Sequence, residues 1–162
     1  MVTAIVNNPG LVAGMVLDWT NARTFTGKKG TGVITRGDVC VPDTALTPDG
    51  WKQAPASAPV YGPFAMCMKT TLSADTEIQL VKGGIWACTA GGTIEIGKLV
   101  QCDTATAGRV ITDTPSDSTT ALAAINWTRI VGVCLGFADN YDTTTPSAPV
   151  VGDLVAVEAR RP

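Results

Sequence analysis

Few residues in this chain could do chemistry, and their spacing limits what that chemistry could be. Two carboxylate pairs, Asp113 with Asp117 and Asp139 with Asp142, could in principle bind a cation or hydrolyse a glycosidic bond. The chain has no histidine, so the usual Ser-His-Asp and Cys-His arrangements are excluded. Neither pair has the spaced Asp and Asn residues with a distal Glu that calcium favours. We interpret both pairs as solvated loop charge, and we predict no enzymatic activity, no metal and no cofactor.

The cysteines form no recognisable metal or redox motif. Their number is odd, no C-x-x-C occurs, and the lack of histidine rules out the usual zinc patterns. Most lie in apolar, strand-like segments, where cysteine behaves as a small buried hydrophobic residue. We therefore predict reduced thiols in the core, which fits a protein folded in a cytoplasm. The residues are Cys40, Cys67, Cys88, Cys102 and Cys134.

Nucleotides, nucleic acids and membranes are not expected partners. The segment "TGKKGTG" at Thr26–Gly32 is glycine-rich and basic, but it lacks the G-x-x-x-x-G-K-[ST] pattern of a phosphate loop. A net charge of −2 offers no excess of cations to neutralise phosphates. The N-terminus has no basic region before its apolar part and is interrupted by "NNPG", so it does not match a signal peptide. No apolar run approaches the ~20 residues that cross a bilayer.

Short strands separated by turns dominate the pattern of the chain. In "TEIQLVKGGIWACT" apolar residues alternate with polar ones, and Gly83-Gly84 permits a sharp bend. No long stretch has helical periodicity, so we predict an all-β fold, a small barrel or sandwich of short antiparallel strands. Glycines break residues 1–34 into an extended arm or edge strands, and residues 35–162 form the main domain. Residues 42–63 are predicted to be a proline-rich loop, and residues 113–127 an inserted loop.

The residue patterns of two strands predict what packs on the faces of the sheet. In "RIVGVCLGFAD" strict alternation places Val131, Val133, Leu135 and Phe137 on one face, with Gly132, Cys134 and Gly136 on the other. The last strand is apolar on both faces from Leu154 to Val157. A strand of this kind is expected to be covered on both sides, by the core and by a partner or the arm.

The tripeptide Arg36-Gly37-Asp38 matches the sequence that integrin ligands display, but it belongs to a repeated pattern. "RGDVCV", "IGKLVQ" and "VGDLVAV" share a glycine, a charged residue and an apolar strand. Glycine suits a turn position with positive φ, and the charged residue stays in water while the apolar residues enter the sheet. We therefore interpret the tripeptide as one instance of this turn and not as an integrin ligand.

The order of these segments resembles a family, the small capsid decoration (cement) proteins of tailed phages, of the β-barrel, β-tulip-like type. The resemblance covers roughly Thr35 to Arg160. The loops at 42–63 and 113–127 are longer than in that family, and residues 1–34 have no counterpart. The matching segments are "RGDVCV", "YGPFAMCMKT", "LSADTEIQLVKGGIW", "EIGKLVQCD", "AGRVITD", "RIVGVCLGFAD" and "VGDLVAVEA".

The resemblance implies a structural virion protein that is made in the host cytoplasm. Such a protein binds the major capsid protein on the outer capsid surface as a homotrimer and stabilises the shell. The apolar arm is then the candidate for reaching a subunit or the shell, while a tryptophan such as Trp51 either packs on its own domain or fills a partner's pocket. The alternative is a β-sandwich module of a virion fibre or head that binds a host surface or glycan. The candidate contact residues are Val2, Ile5, Val6, Leu11, Val12, Trp19 and Trp51.

Overall fold

The computed structural model describes residues 10–46, 48–57, 59–113, 127–139 and 148–160, and in these the fold is all-β, as predicted. The strands form one six-stranded sheet and one closed five-stranded barrel. Two single 3₁₀ turns, Thr44–Leu46 and Trp127–Arg129, accompany them. The strands are β1 Val16–Asp18, β2 Arg23–Lys29, β3 Val39–Pro42, β4 Gly50–Gln53, β5 Ala65–Cys67, β6 Glu77–Lys82, β7 Ile85–Thr89, β8 Leu99–Cys102, β9 Val110–Thr112, β10 Ile130–Phe137 and β11 Leu154–Ala159.

The barrel closes in the order β2-β4-β3-β5-β6. Its pairs are antiparallel except for a short parallel contact between β2 and β4. Alternation along β6 is as expected, because Ile78 and Leu80 are buried whereas Glu77 and Gln79 are exposed. Since alternate side chains of a strand point to opposite faces, one face of each strand can fill the barrel. The buried residues of this cluster are Ile34, Cys40, Trp51, Ala65, Cys67, Ile78 and Leu80.

The second sheet runs in the order β1-β7-β11-β10-β8-β9, with antiparallel pairs throughout. The largest apolar cluster joins this sheet to the barrel. Barrel residues Val39, Met66 and Val81 belong to the same cluster as Trp86 and Val157 of the sheet. Barrel and sheet therefore share one continuous core, which holds the two layers together.

Two predicted segments contain strands of the main fold. Of the two possibilities for residues 1–34, an extended arm or edge strands, the described part 10–34 holds β1 at the edge of the sheet, paired with β7, and β2 in the barrel, paired with β6. The proline-rich segment 42–63 contains β4, which pairs with both β3 and β2. Its prolines lie outside β4, so "GWKQ" keeps every backbone N–H that the ladder needs. Residues 1–9 and 114–126 lie outside the described residues.

Strict alternation along β10 was the wrong expectation. Val131 and Cys134 both join the core shared with the barrel, whereas Leu135 packs with Ile85 and Ala156 in a separate small cluster. Register shifts lie between Ile130 and Gly132 and between Cys134 and Gly136. Each irregularity offsets the pairing and changes which face the following side chains take.

The three repeated turns have the same backbone geometry. Gly37, Gly97 and Gly152 have φ angles of +90°, +82° and +92°, as the glycine pattern predicted. In each turn the residue after the glycine donates its N–H to the carbonyl three residues earlier, at 3.0, 3.3 and 3.1 Å respectively. Each glycine N–H also donates to a carbonyl of a neighbouring segment, at 2.8, 2.8 and 2.9 Å. The turn is therefore a structural unit that starts β3, β8 and β11.

Candidate interaction surface

The side chain of Trp51 is buried within its own domain, so it cannot contact a partner. It is 7% exposed, and its ring meets Phe25 edge-on with the centroids 5.3 Å apart. The ammonium of Lys82 lies 4.7 Å from the Trp51 ring centroid, within cation–π range. Of the two roles open to this tryptophan, the structure shows self-packing, because β4 places it in the barrel.

Among the predicted contact residues that the structure describes, Trp19 has the most exposed side chain. It is 55% exposed and follows β1 directly. The turn is held by a bond from Ala22 N–H to the Trp19 carbonyl at 2.9 Å and by one from Thr20 N–H to Asp18 Oδ1 at 2.8 Å. Val12 is 43% exposed and Leu11 is half-buried. The remaining predicted residues, Val2, Ile5 and Val6, lie outside the described residues.

Two further aromatic side chains, which were not among the predicted contact residues, are similarly exposed. Tyr61 is 53% exposed and Trp127 is 45% exposed. Within the described residues, three of the large apolar side chains that are exposed are aromatic: Tyr61, Trp127 and Trp19. Two sequence features could have identified them: Tyr61 is an aromatic residue in a proline-rich segment, and Trp127 directly follows a Ser/Thr-rich insertion.

Backbone contacts bring the segments that carry these three aromatic residues to one end of the molecule. The turn after Trp19 packs on the Gly83–Gly84 bend, where an added Cβ on Gly84 would lie 2.9 Å from the Ala22 side chain. Gly84 also accepts a hydrogen bond from the N–H of Ala159, at 2.9 Å. Both glycines have positive φ, at +69° and +80°, which permits this sharp bend between β6 and β7.

Two contacts bring the other two aromatic residues to the same end. Arg160 holds Trp127, and a backbone bond joins the segment of Tyr61 to that of Trp127. A guanidinium N–H of Arg160 donates to the carbonyl of Trp127, and its guanidinium carbon lies 5.7 Å from the centroid of that ring. The N–H of Gly62, next to Tyr61, donates to the carbonyl of Thr128 at 2.6 Å. We call the surface formed by Trp19, Tyr61 and Trp127 the aromatic end.

A cleft of about 220 Å³ opens at the aromatic end, between the barrel and the six-stranded sheet. Its apolar wall includes Phe64 from the barrel side and Trp86 and Ile130 from the sheet. Trp86 is 1% exposed and fixed in orientation, because its indole N–H donates to the Gly83 carbonyl at 2.7 Å. Two basic residues, Lys82 and Arg160, are among those that line this cleft.

The expected solvated carboxylate at residue 113 is instead buried. Asp113 is fully buried, and its Oδ1 lies 2.7 Å from Nη2 of Arg129. Asp113 directly follows β9 and Arg129 directly precedes β10, and both of these strands pair with β8, so the ion pair spans β8. Asp139 is exposed, whereas Asp117 and Asp142 lie outside the described residues. For each of the two carboxylate pairs, the structure therefore describes one member.

All five cysteines are buried free thiols, as expected from their strand-like surroundings. Burial raises the pKa of Cys67 to about 11 and that of Cys102 to about 12. Burial also raises the pKa of Cys40, Cys88 and Cys134. A thiol must ionise to act as a nucleophile, so these shifts make the cysteines unreactive at neutral pH.

The integrin-like tripeptide is tied into its turn. The carboxylate of Asp38 accepts hydrogen bonds from the Thr35 N–H and the Gln53 side-chain amide, both at 2.7 Å. The Arg36 N–H donates to Oγ1 of Thr70 at 3.0 Å. Asp38 is half-buried and engaged with its own domain, so the structure favours the interpretation as a turn over that of a displayed ligand.

In the parts of the chain that the structure describes, no helix is long and apolar enough to cross a bilayer. The same parts hold no group of three His, Cys, Asp or Glu side chains that could bind a metal. Comparison with protein families, with curated proteins and with solved structures finds no match to this chain.

Proposed function

We propose that this protein is a capsid decoration protein that binds the outer surface of a viral shell as a homotrimer. Its partner is the major capsid protein, and the aromatic end is its docking surface. The role is structural: burial of surface between subunits stabilises the shell, and no catalytic step is involved. The protein would be made in the host cytoplasm and reside on the assembled virion.

The aromatic end is the observation that carries this proposal. Three exposed aromatic side chains stand at one end of the fold: the segments of Tyr61 and Trp127 are hydrogen-bonded to each other, and the turn after Trp19 packs on the Gly83–Gly84 bend. Tryptophan and tyrosine are enriched among the residues that dominate binding energy at protein interfaces. Anchors held on tight turns also lose little conformational freedom on binding. The ordered turn–strand segments that resemble the decoration family lie on the strands of the barrel and the sheet, which supports the same assignment.

Trimerisation would raise the apparent affinity for the shell above that of one modest interface. A standard interface of ~1,600 Å² spans micromolar to picomolar affinity, depending on the quality of its anchors. Three linked copies that engage at once raise the apparent affinity without any new contact. Solution mass is the first check, because the proposal requires the mass of three chains.

The direct test is co-sedimentation with mature shells of the parent virus that lack this protein. We expect saturation at a fixed ratio to the major capsid protein. The double variant Trp19→Ser/Trp127→Ser should lose binding while keeping its thermal stability. A separate deletion of residues 1–9 tests the contribution of Val2, Ile5 and Val6.

The matched control is Leu72→Ser. Leu72 is 69% exposed and lies in the loop before β6, at the opposite end of that strand from the Gly83–Gly84 bend. Its replacement removes exposed apolar surface without touching the aromatic end, so shell binding should be kept. Absence of binding by the unaltered protein would refute the decoration role. Equal loss in the control and the double variant would refute the docking surface alone.

One observation favours the alternative of a host- or glycan-binding module of a virion fibre or head. A polar groove of about 410 Å³ lies beside the loop before β6. Hydroxyl and amide groups of Thr70, Thr76 and Gln79 line it, together with Asp75 and Glu77. Such groups suit hydrogen bonding to sugar hydroxyls. Retention on a glycan array, lost on Gln79→Ala and unaffected by the aromatic substitutions, would support this function instead.

A further inference from the structure

We propose that the cleft at the aromatic end binds a carboxylate that adjoins an apolar side chain, presented by an extended peptide segment of a partner protein. This inference goes beyond the decoration role and does not depend on it, because it concerns the chemistry of one cleft on the isolated protein.

The size of the cleft favours part of a peptide over a cofactor. Sites for drug-sized ligands and cofactors usually measure ~300–1,000 Å³. The cleft measures about 220 Å³, and its lining includes Gly62 and Thr128, the neighbours of Tyr61 and Trp127. A single side chain with its neighbouring carboxylate fits this volume, while the rest of the peptide can lie along the exposed aromatic rims.

The apolar wall of the cleft selects for an apolar group on the ligand. Phe64, Trp86 and Ile130 line it, and Trp86 cannot rotate away without breaking its bond to Gly83. An aliphatic or aromatic side chain gains burial against this wall, whereas a bare inorganic anion gains nothing from it. The wall therefore argues for a carboxylate attached to an apolar residue.

Arg160 supplies the charge complement. The ammonium of Lys82 lies 5.0 Å and 4.7 Å from the ring centroids of Phe25 and Trp51, which belong to the barrel cluster and do not line the cleft, so we do not assign this charge to the ligand. The guanidinium of Arg160 is anchored by the Trp127 carbonyl and ring. A guanidinium has five N–H donors in a planar fork that matches a carboxylate, and the contact with Trp127 uses one of them. This cation is positioned before any ligand arrives, which favours binding.

The test is an NMR titration of the full-length protein with short peptides, followed through the tryptophan indole N–H signals. N-acetyl-Leu-Asp-amide carries a side-chain carboxylate, and N-acetyl-Gly-Leu carries a terminal one. N-acetyl-Leu-Asn-amide is the neutral match, and inorganic phosphate is the bare anion. We expect saturable shifts of Trp86 and Trp127 with one or both carboxylate peptides, weaker at high salt, and none with the neutral peptide or phosphate.

The two carboxylate probes identify the source of the group. A preference for the first indicates an internal acidic residue, and a preference for the second indicates a chain terminus. Equal shifts with the neutral peptide would overturn the proposal, and so would saturation by phosphate alone. Shifts confined to Trp19 or Trp51 would overturn it as well, because they would place binding outside the cleft.

Two variants link binding to the cleft. Arg160→Gln should weaken binding of the favoured peptide by about threefold or more, since it removes one charge-assisted contact at a partly exposed site. Thr128→Glu places an acid at the cleft, and it should abolish binding while leaving the backbone bond from Gly62 intact. Arg36→Gln and Lys69→Gln remove exposed cations elsewhere and should bind normally. If Thr128→Glu melts like the unaltered protein and still binds, the proposal is wrong.

Discussion

Asp113 and Arg129 form a buried ion pair, 2.7 Å apart, that joins the end of β9 to the start of β10. Asp113 directly precedes residues 114–126, and Arg129 is the third described residue after them. The carboxylate is fully buried, whereas the Arg129 side chain is 20% exposed. This difference in burial makes the consequences of breaking the pair asymmetric.

Removal of the cation should be the more damaging substitution. Arg129→Met leaves a charged carboxylate in the interior, and we expect the free energy of unfolding to fall by about 3 kcal/mol or more. Asp113→Asn leaves the partly exposed guanidinium, which water can still reach, so its cost should be smaller. Urea unfolding of both variants and of the control Asp49→Asn, an exposed acid, measures the order. Equal costs for the pair would contradict the asymmetry.

Trp19 and Trp51 should respond in opposite ways to truncation. Trp51→Ala empties part of the barrel, and we expect a loss of about 3–5 kcal/mol in the free energy of unfolding. Trp19→Ala removes a ring that is mostly in water, so stability should change by about 0.5 kcal/mol or less. Thermal and urea unfolding of both variants gives the comparison. A large destabilisation by Trp19→Ala would mean that this ring supports its own fold.

Ionisation of Asp38 should lower the free energy of unfolding as the pH rises. Burial raises the pKa of its carboxyl above the ordinary value of 3.8, although the bonds from Thr35 and Gln53 oppose that shift. The folded state then holds the proton more tightly than the unfolded state, so this residue's contribution falls as pH rises from 3.8 through its folded pKa. Asp38→Asn lacks this titration. The stability of the variant relative to the unaltered protein should therefore grow over that interval and then level off.

The corresponding measurement is urea unfolding of the two proteins at closely spaced pH values, compared as a difference. Other carboxyl groups titrate in both proteins, so their contributions largely cancel in that difference. A difference that shrinks with rising pH would show that the hydrogen bonds outweigh burial.

Gly152 tests the backbone of the repeated turn without steric complication. An added Cβ would meet nothing within 4 Å, but φ is +92°, where a side chain is strained. We expect Gly152→Ala to cost about 1–2 kcal/mol. Gly92 also has open space for a Cβ but no positive φ, so Gly92→Ala should be neutral or slightly stabilising. Equal effects of the two substitutions, measured by urea unfolding, would contradict the role of φ.

The five thiols should be protected from alkylating and disulfide reagents in the folded protein. Burial blocks access and raises each pKa, with Cys67 at about 11 and Cys102 at about 12, so little thiolate is present at pH 8. Titration with a chromogenic disulfide should release almost nothing from the native protein. In denaturant it should release five equivalents per chain. Rapid reaction of the native protein would show an accessible thiol.

The local chemistry of the sequence was enough to predict the fold class and the turns. Alternation in β6 and the absence of helical periodicity indicated strands, because side chains of a strand take two faces in turn. The positive φ of Gly37, Gly97 and Gly152 followed from a pattern of three to five residues. The cysteines were predicted to be buried from their apolar neighbours alone. In each case the determining interactions lie within one turn or one strand.

The tertiary structure alone decided which segments meet. Strict alternation failed along β10 because bulges depend on the partner strands, and β4 was missed because its pairing with β2 and β3 outweighs the prolines around it. The Asp113–Arg129 pair and the aromatic end join residues far apart in the chain. Local residue patterns predict the conformation of a segment. Pairing, burial and charge compensation depend on neighbours that only the folded chain brings together.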